Sequence, residues 1–140
     1  MAQQMEEFEL FYSNNTIYSN FYAAPFSDGG LKFPEGSIYH ETTDFSFVHV
    51  EQYMHACKAM LFKDVETLDE ILSASDPMDA KKLGRKVSGF EDRVWSSVAR
   101  DIVTRGCYLK FKQNQQLWDE MKNTGTRTFV ECAPRDIRSD

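Results

Sequence analysis

The residues of this chain with the richest chemical options lie together in one short stretch, His49-Val50-Glu51-Gln52-Tyr53-Met54-His55-Ala56-Cys57-Lys58. Two imidazoles, a carboxylate, a thiol and an amine within ten positions could serve a metal, a nucleophile or acid–base catalysis. A metal does not survive the geometry. On a helix at about 100° per residue, His55 and Cys57 point about 160° apart and cannot share one ion with Glu51. Cys57 falls on the apolar arc, where burial raises a thiol's pKa and leaves it inert. Glu51, His55, Lys58 and Phe62 form the opposite arc, and spacing alone reads that arc as a solvated helix face with i,i+4 contacts. A second cluster, Lys81-Lys82-Leu83-Gly84-Arg85-Lys86, is the densest basic run. It suits the C-terminal end of a helix, where cations complement the dipole, and equally a phosphate grip in which Arg85 offers a bidentate fork. No P-loop or GxGxxG is present, and Gly29-Gly30 is too short for a dinucleotide loop.

These groups need elements to hold them. Val48 to Phe62 reads as a central helix, with Val50, Tyr53, Met54, Cys57, Met60 and Leu61 as its core stripe. Asp64 caps a second helix through Val65, Leu68, Ile71 and Leu72, and Ser75-Asp76-Pro77 starts a third that stops at Gly84. The longest pattern runs from Glu91 to Gln113, with Trp95, Val98, Ala99, Ile102, Gly106 and Leu109 on one face. Periodicity makes Trp95 a core residue. Asn114 can cap a last helix to Gly125, and Arg127 to Cys132 alternates as a closing strand.

The first third reads as β and loop. After a loose acidic lead-in over residues 1–7, Phe8 to Tyr12 has strand composition, and Ser27-Asp28-Gly29-Gly30 predicts a hairpin turn between Pro25-Phe26 and Leu31-Lys32-Phe33. Ser37 to His40 and Phe45 to Val48 read as further extended pieces. The expected architecture is therefore a single α+β domain over residues 1–140: short N-terminal strands, a mainly helical body and a closing strand.

With 41% apolar and 14% aromatic residues, 140 residues can bury roughly two-thirds of the unfolded surface without disulfide or metal. A net charge of -6 supplies no broad positive field for nucleic-acid phosphates. Three widely spaced cysteines suit a reducing compartment, and neither a leader peptide nor a membrane span is visible, so a cytoplasmic location is expected.

Several ordered motifs extend this reading. Ser19-Asn20-Phe21-Tyr22 with Pro25-Phe26, Val50-Glu51-Gln52-Tyr53 with Lys58-Ala59, Ala80-Lys81-Lys82-Leu83-Gly84-Arg85, Trp95, Lys110-Phe111-Lys112-Gln113-Asn114, Leu117, Thr124-Gly125 and Val130-Glu131-Cys132-Ala133-Pro134-x-Asp136 together resemble the NADAR family, over about residues 11 to 136. That family includes N-glycosidases of riboflavin-biosynthesis intermediates and hydrolases that remove ADP-ribose from nucleobases or proteins. The resemblance implies a metal-free and cofactor-free intracellular hydrolase of a ribose C1'–N bond, with Glu51, Trp95 and Asp136 as its catalytic set. Its substrate would be a ribosylated or ADP-ribosylated small molecule, or a modified nucleic acid or protein. On that reading Glu51 meets the developing oxocarbenium ion or activates water, Asp136 assists, and Trp95 stacks on the leaving base. Lys58 would keep Glu51 ionised, Lys82 and Arg85 would hold phosphate, and Asn20 would bind ribose hydroxyls. Two departures from the family pattern enter here. Leu31 to Phe47 is longer than usual, and the Trp-Gly and Gly-x-Asn-x-x-Gly segments that ordinarily follow the late aspartate do not appear before Asp140. The second leaves a different expectation open, a non-catalytic binder of ADP-ribose or a related nucleotide with an incomplete active site.

Overall fold

A computed structural model describes residues 17–123 of the chain. The element order is α1 (Val50–Leu61), α2 (Val65–Leu72), α3 (Pro77–Gly84), α4 (Asp92–Gln113) and α5 (Gln115–Asn123). Helix α1 packs against α2, α3 and α4, and α5 packs on α4. The central helix of the sequence reading is thus central in space.

Local chemistry sets the helix ends. His49 caps α1, its Nδ1 accepting from the Gln52 amide at 3.0 Å, which leaves Nε2 to donate to the Ser75 carbonyl at 2.9 Å. Asp64 caps α2 by accepting from the Thr67 amide, and Asp76 caps α3 ahead of Pro77 by accepting from Met78. Asn114 lies between α4 and α5, but its carboxamide donates to the Pro25 and Lys110 carbonyls. Gln52 ties α1 to the end of α2, donating to the Ile71 and Ala74 carbonyls.

The α+β expectation is corrected by the structure. Among the described residues the fold is mainly helical, with no sheet and one isolated antiparallel bridge, Phe26 to Phe47. The turn at Asp28 forms, the Leu31 amide donating to the Asp28 carbonyl at 3.1 Å, but Leu31 to Phe33 does not return along Phe26. The reason is side-chain capture. The Asp28 carboxylate takes both a bidentate contact from Arg105 at 2.9 Å and the Tyr53 hydroxyl at 2.7 Å, so α4 and α1 hold the turn in place of a strand ladder. The aromatics behind the strand expectation pack ring against ring instead, edge to face for Phe45 and Tyr53 on Phe47 and stacked for Phe26 on Phe47. Phe47 meets Phe45 and Tyr53 at centroid separations of 4.9 and 5.1 Å, and Phe26 at 5.7 Å. The long stretch after Leu31 is pinned by Asp69 of α2, which accepts from Ser37 Oγ at 2.5 Å and the Ile38 amide at 3.1 Å. The segments Phe8–Tyr12 and Arg127–Cys132, expected as strands, and the 1–7 lead-in lie outside the described residues.

Two glycines let helices close on α1. A Cβ at Gly106 would stand 2.9 Å from Tyr53 Cδ2, and one at Gly84 would stand 2.0 Å from His55 Nδ1. The stripe of α4 that is buried is Trp95, Ala99, Val103, Gly106, Cys107, Lys110 and Phe111, while Val98, Ile102 and Leu109 are half-buried, so the core face is rotated from the expected one.

Candidate active site

The face of α1 that spacing reads as solvated is buried. Glu51, His55 and Lys58 are 1%, 0% and 2% exposed, whereas Leu61, expected in the core, is 38% exposed. A polar stripe is sealed here because α3 and α4 close over it, α3 through the bare backbone of Gly84.

Within that layer Glu51 Oε1 lies 2.8 Å from His55 Nε2, one helical turn on. The Glu51 amide donates to the Asn20 carbonyl at 3.0 Å, which sets the Asn20 segment against the first turn of α1. Asn20 is itself buried, and its Oδ1 accepts from the Cys107 thiol at 3.7 Å. The Lys58 ammonium stands 4.6 Å from the Phe90 ring centroid and 5.8 Å from that of Trp95. Both are cation–π distances, and they place the amine and the indole in one neighbourhood. Trp95 is buried, while Phe90 is 38% exposed and packs on Phe62 at 5.4 Å.

The predicted site residues therefore divide. Asn20 and Glu51 meet through the backbone, and Lys58 and Trp95 meet through charge and ring, all four from the buried layer around α1. Arg85 is exposed and caps the C-terminal end of α3, next in sequence to the glycine beneath His55. Lys82 is exposed and lines a hollow with Glu70, Ser73, Asp79, Leu83 and Lys86, which contains none of the four buried residues. Asp136 lies outside the described residues.

His55 as the partner of Glu51 was missed by sequence reasoning, which put both on a solvated face. The available signal was the i,i+4 spacing on the stripe that also carries Lys58. The Lys110-Phe111-Lys112-Gln113-Asn114 motif proves to be a clamp on the loop before α1. Lys110, fully buried, donates to the Ile17 and Ser19 carbonyls at 2.7 and 3.2 Å, and Gln113 exchanges two hydrogen bonds with the backbone of Ser27. That loop carries Asn20.

A second hollow of about 680 Å³ opens on the other face of α1, lined by Tyr53, Cys57, Met60 and Leu61 with Leu31, Ile102 and Arg105. Desolvation pushes the Cys57 thiol up to about 12, so it stays protonated and inert, in accord with its place on the apolar arc. The Arg105 guanidinium holds the Asp28 carboxyl down to about 2 against the opposing effect of burial.

Comparison with known proteins places the chain in a family. A NADAR domain family profile matches residues 10–137. An N-glycosidase of Acanthamoeba polyphaga mimivirus is 42% identical over 90 residues, 64% of this chain and 53% of that protein. The Caenorhabditis elegans protein irg-1 is 31% identical over 131 residues, 92% of this chain and 62% of that protein. The N-glycosidase YbiA of Escherichia coli is 29% identical over 129 residues, 90% of this chain and 70% of that protein. The solution structure of E. coli YbiA superposes with a TM-score of 0.59 at 27% identity, covering 83% of this chain and 61% of that one. The chain thus spans between about half and two-thirds of the length of the mimiviral and nematode relatives. A match over nearly its whole length, with a shared fold, makes this chain a member of the NADAR domain family.

Proposed function

We propose that the protein is an N-glycosidase that hydrolyses the ribose C1'–N bond of a ribosyl-phosphate or ADP-ribosyl compound. The substrate class includes riboflavin-pathway intermediates and ADP-ribosylated bases or proteins. Relatives named N-glycosidases support the reaction type. The observation that carries the reading is Glu51, a carboxylate 1% exposed and tethered at 2.8 Å to an imidazole, within the buried layer that also holds Lys58 and Trp95.

Breaking this bond sends the C–N electron pair to the leaving nitrogen and leaves positive charge shared between C1' and the ring oxygen. Water then adds at C1' and loses a proton. A fixed carboxylate removed from bulk water acts strongly on such a cation, because little solvent screens the pair and no reorganisation is needed when the charge appears. Glu51 takes this role, or receives the proton of the water. Trp95 offers a flat face for the leaving base. Asp136 assists departure of the nitrogen, Asn20 binds ribose hydroxyls, Lys58 meets the substrate beside Glu51, and Lys82 and Arg85 receive the phosphates, where Arg85 contributes a bidentate fork.

The test is chromatography of the wild type and Glu51→Gln with two substrates, ADP-ribosylated guanine DNA and a ribosylamino-pyrimidine phosphate. Base release in the wild type, reduced about a thousand-fold or more by Glu51→Gln, is the expected outcome. An unchanged rate in the variant would remove Glu51 from the chemistry. Thermal stabilisation by ADP-ribose without product from either substrate would replace hydrolysis by binding.

A further inference from the structure

We propose that His55 is a positioning residue for Glu51: it donates Nε2–H to Oε1 and directs the other carboxylate oxygen to the reacting centre. This inference rests on the glycosidase reading above. The geometry restricts the pair to few proton arrangements. Nε2 faces Oε1 at 2.8 Å, and Nδ1, equally buried, has no hydrogen-bond partner among the described residues. A proton on Nδ1 would be a buried N–H with no acceptor. It would also turn a lone pair of Nε2 toward the carboxylate oxygen, two acceptors in contact. With the proton on Nε2, the bond is satisfied and only one lone pair of Nδ1 is left bare, a smaller penalty than an orphaned N–H.

Gly84 makes the pairing possible. The ring lies where a Cβ of residue 84 would stand, 2.0 Å from Nδ1 and 2.6 Å from Cε1 and Cγ. Backbone of α3 therefore bounds the imidazole on the side away from Glu51, so the ring has no room to swing off its acceptor. In that arrangement the donor is a neutral imidazole. A neutral imidazole orients a carboxylate without cancelling its charge, which a cation in the same place would partly do. That charge is what the oxocarbenium ion requires.

Three variants and one spectrum test the proposal. His55→Leu removes the donor at similar volume. Its kcat should fall about 10- to 100-fold, as for displacement of a reacting group by about 1 Å, with KM within a factor of about three. His55→Gln places an amide N–H within reach of Glu51 and should recover most of that loss. Wild-type kcat in His55→Leu, alongside a dead Glu51→Gln, would overturn the positioning role and leave the glycosidase reading standing. So would losses in both His55 variants that simply track their melting temperatures. No base release by the wild type would instead overturn the glycosidase reading, and retained turnover in Glu51→Gln would remove both residues from the chemistry. Nitrogen-15 NMR of the imidazole judges the pair without any substrate. Protonated Nε2 and bare Nδ1 are expected, with the Nε2 signal shifting in Glu51→Gln. A proton on Nδ1 would refute the proposed arrangement.

Discussion

Gly84→Ala should damage both stability and turnover, although alanine is ordinarily the better helix former. The new Cβ would lie 2.0 Å from His55 Nδ1, and ordinary contact begins at 3.4 Å, so ring or helix must retreat by the difference, 1.4 Å. A ring turned aside by that much loses its 2.8 Å hydrogen bond to Glu51. Overpacking of this kind costs about 1–3 kcal/mol, and the lost bond adds about 1 kcal/mol. The gain from helix propensity is at most about 1 kcal/mol, less at the last residue of α3. The balance is a loss of about 2 kcal/mol, which for a chain of this size lowers Tm by roughly 5–10 °C. Urea denaturation gives the free energy, and ribose release at saturating substrate gives kcat. Adding His55→Ala removes the obstructing ring, so the double variant should be less destabilised than the two single losses sum to, by about 1 kcal/mol or more. A Gly84→Ala protein within 0.5 kcal/mol of wild type, with full turnover, would refute the packing argument.

Lys110→Met should cost about 2–4 kcal/mol in chemical denaturation, because it leaves the Ile17 and Ser19 carbonyls without their buried donor; a loss under about 0.5 kcal/mol would show that water replaces the ammonium easily. Asp28 is an acid whose folded pKa, about 2, lies below the ordinary 3.8, chiefly because Arg105 hydrogen-bonds it. Its contribution is therefore complete above about pH 4 and lost as pH falls through 2, and after allowance for the exposure of Arg105 it amounts to about 1–2 kcal/mol. Asp28→Asn should be less stable than wild type at pH 7 and nearly equal to it at pH 2, as followed by circular dichroism; a constant difference across that window would dismiss the linkage. Cys57, its thiol raised to about 12 by desolvation, should resist iodoacetamide at pH 7.5 and react once the chain is unfolded, as mass spectrometry would show. Rapid labelling of the native protein at that position would contradict the raised thiol pKa.

How much of this was legible beforehand depended on whether the determining forces act along the chain or across it. Helix caps and stops are local, so Asp64, Asp76-Pro77 and Gly84 marked α2 and α3 in the sequence itself. The ordered motifs marked the family, since they are a property of the string of residues. Burial is not local. The stripe of Glu51, His55 and Lys58 has the pattern of a wet surface, and only the approach of α3 through Gly84 and of α4 with Trp95 turns it into an interior site. Strand formation is not local either. The aromatics from Phe21 to Phe47 have the right composition for a sheet, but a sheet needs a partner edge, and Asp28 is drawn instead to Arg105, 77 residues away. The chain thus fixed which groups are available and where its helices begin. The tertiary structure decided which of those groups are dry, which carboxylate is tethered to which imidazole, and that residues 17–49 form a loop clamped by Lys110 and Gln113, because each of those outcomes is a contact between residues distant in the chain or a matter of what closes over them.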